Sequence, residues 1–471
     1  LDIDAVPRDD PTTFELIRST RTLGMFQIES PGQRELVGKF GPQTFEDLII
    51  DISLFRPGPV KSDMVTPFLL ARNGWRDAEY PHPDLEFALA ETAGVVVFHE
   101  QVLHVVSRMT GCTLAEADEV RRALGEKDAH PEVRTWFLPR ALDAGYPVEV
   151  AEQVWQVLVA FGSFGFCKAH AAAFALPTYQ SAWLKTHHTA AFLAGVLTHD
   201  PGMYPKRLIL DDARNFGIAV LGLDVNASGE TYRVERLDQG EEGDDAAAGG
   251  RRLPEWMPAA MPDPSRYGIR LSLADVKGIS DDEVARIVAG QPYRSLSDFW
   301  SRASVSRPVV ERLVLAGGFD SLYGFGMRDR ESRRPAHRRR QLTRRDLLLQ
   351  IGELDRWSRS GARASSVGQL SLDLLGIEQD GAGQDALFPL DDIAGPEERA
   401  DGPGVGPGWA EGSGLPEFTD AELVRAELEV LGLDASRHVV DFYKPFLAAL
   451  GAVPAADLLG CRSGSELLVA G

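Results

Sequence analysis

A chain of 471 residues with 49 Lys and Arg against 70 Asp and Glu, net charge -21, is an acidic multidomain protein, not a small basic nucleic-acid-binding module. Its 44% hydrophobic content supports ordinary packed cores, and no apolar run reaches the roughly 18 to 20 residues of a membrane span. Cys112, Cys167 and Cys461 lie far apart with no C-x-x-C pair, which excludes a sequence-evident zinc site or disulfide framework and fits a reducing cytoplasm.

The first residue is Leu, the first methionine is Met25, and ELLVAG at the other end reads as the opening of a strand, so the expectation is an internal fragment of a longer protein. The first 200 residues are mostly helical by their punctuation. Asp10-Pro11 and Ser30-Pro31 each set a capping side chain before a Pro suited to the first helical position. FRPGP, from Phe55 to Pro59, is a rigid turn. In GCTLAEADEVRRALGEKD, Thr113 and Glu116 form a capping box, and Leu114, Ala117, Val120 and Leu124 mark one apolar face, so Arg121 and Arg122 cannot both be buried there.

The run FGSFGFCKAHAAAFALPTYQSAWLKTHH, Phe161 to His188, places a glycine-aromatic loop and two basic side chains before a helix. Gly162 and Gly165 permit tight backbone paths, and Lys168 and His170 arrive where helix N–H groups and a partial positive charge would meet an anion. The spacing equally suits ordinary surface residues. Pro177 removes one backbone bond and predicts a kink, while Ala175, Tyr179 and Trp183 recur at i, i+4, i+8.

From Met203 a further helix leads into IAVLGLDVNAS, a short strand and turn, and residues 238–252 are a low-complexity insertion. Tyr267 to Leu322 reads as a compact unit: helix, a hairpin centred on Lys277, Gly278 and Ile279, then a helix capped by Ser280 and a later helix ended at Gly317-Gly318. Such a hairpin offers backbone N–H groups and a lysine to a phosphate, although a plain helical hairpin has the same pattern. Nine arginines follow between Arg328 and Arg345, then an acidic Gly- and Pro-rich linker. It carries two glutamine-led peptides able to dock into a partner's pocket, QLSLDL (Gln369, Leu370, Leu372, Leu374) and QDALF (Gln384, Leu387, Phe388). DAELVRAELEVLGLD is a final helical segment before a short α/β piece.

Several constellations are better discounted. His99-Glu100 and His104 resemble a zinc-protease motif, but the histidines are five apart, about 500° round a helix. Asp2 and Asp4, Asp211-Asp212 and Asp281-Asp282 read as solvated acids, the latter two pairs as helix starts.

MFQIES at 25–30, LFRPGP at 54–59, RRALGEK at 121–127 and FCKAHAAAFALPTYQSAWLKTHH, in that order and spacing, resemble the bacterial family C replicative polymerases, the alpha subunit of DNA polymerase III, over essentially the whole chain. GMYPKRLILDDARNFGIAVLGLDVNAS and HHTAAF look more like the error-prone ImuC-type branch of damage-induced mutagenesis. The resemblance implies a mainly α, multidomain fold with a helical fingers domain at 1–235, whose first ten residues end the palm connection. The low-complexity insertion at 236–262 would follow, then a helix-hairpin-helix and clamp-binding domain at 263–360, a linker at 361–416, and a region at 417–471 leading into a C-terminal OB-fold.

It implies a template-directed DNA polymerase joining deoxynucleoside triphosphates to primer-template DNA and releasing pyrophosphate, in translesion synthesis during DNA repair. The nucleotide pocket maps onto Arg121, Arg122, Lys168 and His170, and DNA contact onto the Lys277 hairpin. Clamp contact maps onto the Gln384 peptide with the Gln369 peptide as its rival, and a translesion companion protein is a further partner. The family's Mg2+-binding aspartates lie before LDIDAVPRDDP, so this stretch alone would be inactive. The competing reading is a non-catalytic DNA-binding or sliding-clamp adaptor.

Overall fold

The computed structural model describes residues 1–55, 64–162, 166–200, 203–237, 256–325, 342–374, 412–462 and 464–469. They form two compact units: residues 1–219 with 236–267, and residues 220–235 with 268–471.

In the first unit the helices begin where polar side chains take up orphan N–H groups. Helix α1 (Pro11–Arg18) is capped by Asp10, which accepts from the Thr12 and Thr13 amides, and α2 (Pro31–Phe40) by Ser30. Helix α3 (Phe45–Leu54) opens with a reciprocal Thr44–Asp47 capping box, and α4 (Val65–Arg72) sends Arg72 back to Asp47 at 2.8 Å. FRPGP beyond Phe55 lies outside the described residues.

Four helices then enclose a core of their own: α5 (His99–Thr110), α6 (Leu114–Leu124), α7 (His130–Asp143) and α8 (Val148–Gly162). Val102, Val106, Met109, Ala117, Leu124, Phe137 and Trp155 meet inside it. The Thr113–Glu116 capping box is present; Ala117 and Leu124 are buried as expected, whereas Leu114 faces solvent at the helix start.

Helix α9 (Lys168–His187) continues through Pro177, because the missing donor leaves the rest of the i to i-4 ladder intact; α10 (Thr189–His199) and α11 (Lys206–Asn215) follow. Helix α9 packs on α3 and α1. Tyr179, fully buried, donates to the Pro7 carbonyl at 2.8 Å and accepts from the Asp10 amide at 3.1 Å, and His187 Nε2 lies 2.7 Å from Asp10.

The expectation that Asp211-Asp212 is a solvated helix start is corrected. The pair sits inside α11, and Asp212 is buried against Lys185, whose side chain has no exposed surface. Lys185 Nζ donates to the Arg21 and Leu23 carbonyls at 2.8 and 2.7 Å and to Asp212 Oδ2 at 2.7 Å, matching three donors with three acceptors. Burial lowers its pKa, and the Asp212 carboxylate opposes that shift.

The second unit is built on a three-stranded sheet ordered β1 (Ala219–Leu221), β3 (Tyr267–Arg270), β2 (Arg233–Arg236). The helix expected before the hairpin is therefore strand β3 followed by a single 3-10 turn, Leu273–Asp275. Edge groups decide this: the Leu271 amide finds the Leu221 carbonyl at 3.0 Å, a partner far away in sequence that local propensity cannot announce. Helices α12 (Asp281–Gly290), α13 (Leu296–Ala303) and α14 (Arg307–Leu315) follow, with Ser280 capping α12 as expected.

Helix α15 (Arg344–Leu374) packs Leu347, Ile351 and Leu354 inward, and α16 (Asp420–Leu431) opens with a Thr419–Glu422 capping box. The backbone of α15 stays helical through Gln369 to Leu374, where an extended linker was expected. Residues 466–469 form no ladder among the described residues; the Val453 amide donates to the Leu468 carbonyl at 2.8 Å, and a strand needs a whole neighbouring edge.

Two stability predictions follow from buried charge. Lys185→Met would strand Asp212 and two carbonyls without donors and should cost about 3–5 kcal/mol in urea unfolding of this chain; a loss below about 1 kcal/mol would refute the matched-donor account. Asp51, on α3, is fully buried with both carboxyl oxygens unpartnered among the described residues. Burial, and then the neighbouring Asp47 carboxylate, push its pKa well up. A group held protonated in the fold yet ionised in the unfolded chain loses stability as pH rises past its unfolded value near about 4. Asp51→Asn should match the parent near that pH and exceed it increasingly toward neutrality, by up to about 1.4 kcal/mol per pH unit; parallel stability curves would contradict this.

Candidate functional site

Helix α9 starts against α5. Buried Gln101 fixes the approach: its Oε1 accepts from the Val97 and Phe98 amides at 2.7 and 2.9 Å, and its Nε2 donates to the Ala88 carbonyl and Thr92 Oγ1. Phe98, so held, pairs with Phe166 in a parallel bridge, and the His99 amide donates to the Phe166 carbonyl at 2.9 Å. The glycine-aromatic loop is thereby pinned at its exit, two residues before α9; Gly165 lies outside the described residues.

Cys167, the N-cap of α9, makes no side-chain cap. The cap comes from α5: Glu100 accepts the Lys168 amide at 3.1 and 3.0 Å, and the Cys167 thiol lies 3.4 Å from the same carboxylate. Burial pushes the Glu100 carboxyl up, but the Lys168 amide and its other hydrogen bonds outweigh this and hold it below its ordinary range. The Lys168 ammonium pairs with Glu91 and sits 5.5 Å above the Phe98 ring. His170 is exposed, edge-on between Phe166 and Phe174 at 5.1 and 4.4 Å, and Phe174 stacks on Phe26 of MFQIES at 5.7 Å.

Arg121 and Arg122 occupy the last turn of α6, which packs on α5. Both reach Asp118, at 2.8 and 2.6 Å, and Arg121 is largely covered while Arg122 is 72% exposed. The hydrogen bond from Arg121, and then both guanidinium charges, keep the Asp118 carboxyl below its usual range. Helix α6, with the two arginines, packs on α5, and the start of α9, with Lys168 and His170, is bonded to Glu100 of α5, but the arginines and Lys168 engage different carboxylates.

In the second unit the Lys277 amide donates to the Val430 carbonyl at 3.0 Å, and its own carbonyl accepts from Arg312 at 2.6 Å. Gly278 has φ +74°, a left-handed conformation that favours glycine, and a Cβ there would also push aside the Arg312 Nη1 end, 2.6 Å away. Lys277 and Gly278 are exposed, and Ile279 is half-buried. Ser280 gives its amide to Glu283, which also accepts from the Ser306 amide at 2.9 Å; burial raises the Glu283 carboxyl, and these bonds bring it down to about 2. Gln384, Leu387 and Phe388 lie outside the described residues, and Gln369, Leu370, Leu372 and Leu374 are on the final turns of α15.

Sequence reasoning missed Glu91, Glu100, Gln101 and Lys185. For Lys185 a signal existed: Thr178, Ala182, Lys185 and Thr189 recur at i, i+4, i+7, i+11, and all four are buried. Glu91 and Glu100 carried none, since their partner lies 77 and 68 residues away.

Residues 1–145 match the model of the bacterial DNA polymerase III alpha subunit finger domain, and residues 217–331 match that of a helix-hairpin-helix motif. An error-prone DNA polymerase of Symbiobacterium thermophilum is 32% identical across 100% of this chain and 40% of its own length. One from Nocardia farcinica is 31% identical across 98% and 34%. The DNA polymerase III subunit alpha of Aquifex aeolicus is 32% identical across 67% and 25%. The chain thus spans two fifths or less of the length of these relatives. These matches show that the chain carries the finger domain of the bacterial DNA polymerase III alpha-subunit family and a helix-hairpin-helix region.

Proposed function

We propose that the chain supplies the nucleotide-handling fingers and a DNA-contacting hairpin to a template-directed DNA polymerase of the error-prone, translesion kind. The observation that carries this is the α9 start. Its first amide already binds an oxyanion, the Glu100 carboxylate, with a solvated lysine beside it. With that amide held by Glu100, a triphosphate would meet the Lys168 side chain. Lys168, with Arg121 and Arg122, would neutralise it and the pyrophosphate leaving under in-line attack by the primer 3′-hydroxyl. Arg122 suits this best, with an exposed planar fork that can exchange Asp118 for phosphate oxygens. The His170 ring, braced by two phenylalanines, would orient the substrate by contact.

Mg2+ would stabilise the transferring phosphoryl group when bound. Among the described residues no cluster of three His, Cys, Asp or Glu side chains is arranged to hold an ion, and Glu91 and Glu100 are committed to Lys168. In our reading, which rests on the family resemblance, the aspartates that would hold it lie outside this chain. Among the described residues no helix is long and apolar enough to cross a membrane. The assignment to the cytoplasm is our reading of three scattered cysteines with no paired spacing.

At the hairpin, the Lys277 amide serves α16, which leaves the exposed side chain for a DNA phosphate. Sliding-clamp contact is assigned to the Gln384 peptide, with the Gln369 peptide as rival and a translesion companion protein as a second partner.

In the full-length polymerase, Arg121→Ala, Arg122→Ala or Lys168→Ala should cut nucleotide incorporation about tenfold more than primer-template affinity, and Lys277→Ala should do the reverse, lowering the salt slope of DNA binding by about 1. Equal losses in both assays would contradict the assignment, and a full-length protein that binds DNA and clamp without incorporating nucleotide would support the adaptor reading. A peptide of residues 384–390 should compete for the sliding clamp. Competition by the 369–374 peptide alone would reverse the ranking.

A further inference from the structure

The two carboxylates at Lys168 differ in a way that assigns them different tasks. Glu91 meets the ammonium in solvent: the two side chains are 42% and 41% exposed, and Glu91 sits on a single 3-10 turn, Ala90–Thr92. An ion pair so exposed is screened and weak. Glu100 is half-buried, holds the first amide of α9 through both oxygens and has the Cys167 thiol against it. It replaces the cap that Cys167 cannot provide, on a loop exit already fixed by the His99–Phe166 bond. Charge-assisted bonds of this kind, away from full solvent, are the stronger class.

We propose that Glu91 is the exchangeable counter-ion of Lys168, displaced by the substrate's triphosphate, while Glu100 stays in place as a positioning residue that fixes the start of α9. This rests on Lys168 being a phosphate ligand, as argued above. The arriving phosphate takes over the ammonium and returns the Glu91 carboxylate to water. Phe98, 5.5 Å below Nζ, keeps the ammonium in place during the exchange. Because Glu91 competes with substrate for one cation and Glu100 supports the backbone that carries it, removing their charges has opposite consequences.

The test is single-turnover incorporation by the full-length polymerase of the deoxynucleoside triphosphate complementary to the template base, which separates apparent Kd from maximal rate. Glu91→Gln should tighten the apparent Kd about two- to fivefold, the size expected for releasing one exposed ion pair. Glu100→Ala should lower the maximal rate about tenfold, with partial rescue by Glu100→Gln, whose carbonyl oxygen still accepts the Lys168 amide. Lys168→Ala in parallel should weaken the apparent Kd. If it does and Glu91→Gln leaves Kd unchanged or weakens it, the counter-ion assignment is overturned while the phosphate reading stands. If Glu100→Ala behaves like Glu91→Gln, the division of tasks is overturned. If Lys168→Ala leaves Kd unchanged, the phosphate reading itself fails and takes the inference with it.

Discussion

A single buried ammonium organises the first unit. Lys185 projects from the last turns of α9 into a space without exposed surface, and its three N–H groups meet two carbonyls of the Arg21 to Leu23 segment and the carboxylate of Asp212 on α11. A charge removed from water is tolerated where its donors are matched and a counter-charge is in contact. Satisfying it therefore fixes three separate pieces of chain at once. The same helix, one to two turns earlier, uses the Tyr179 hydroxyl to tie Pro7 and Asp10, and His187 then reaches the Asp10 carboxylate that caps α1. Helix α9 is thus held along its C-terminal half by polar groups inside a largely apolar setting.

That anchoring gives meaning to its other end. The N-terminal half of α9 carries Lys168 beside Glu91 and Phe98 and, about 200° round the helix, the exposed His170 with Phe174, on which Phe26 of MFQIES stacks. The loop before it is set by Gln101, which uses its whole amide on backbone and hydroxyl partners, and by Glu100, the next residue back. Adjacent residues on one helix therefore do different jobs, the amide shaping the approach and the carboxylate supplying the anion. Under the proposed function, a chain of net charge -21 would meet a triphosphate through Arg121, Arg122 and Lys168, whose partners Asp118 and Glu91 are partly exposed.

In the second unit the hairpin faces inward as much as outward. Its Lys277 amide and carbonyl are bonded to Val430 and Arg312, and the Ser280 amide to Glu283. What it keeps for solvent is a lysine side chain and a glycine in a left-handed conformation. The described arginines of the basic run are likewise internal: Arg344 pairs with Asp320, and Arg345 pairs with Glu422 over the Phe418 ring. Local charge density in a sequence does not say which charges a fold consumes.

The sequence by itself determined what depends on neighbours within one helical turn. The Asp10, Ser30, Thr113 and Ser280 caps, the helices they begin, and the motifs that carry the family resemblance were legible there, because capping bonds span three residues and motifs are contiguous. Only the tertiary structure decided that Tyr267–Arg270 is a strand, that Asp212 is buried, that Glu100 caps a helix beginning 68 residues later, and that Glu91 answers Lys168. In each case the partner is distant along the chain, so the outcome rests on which surfaces packing brings together and not on any residue's own preference.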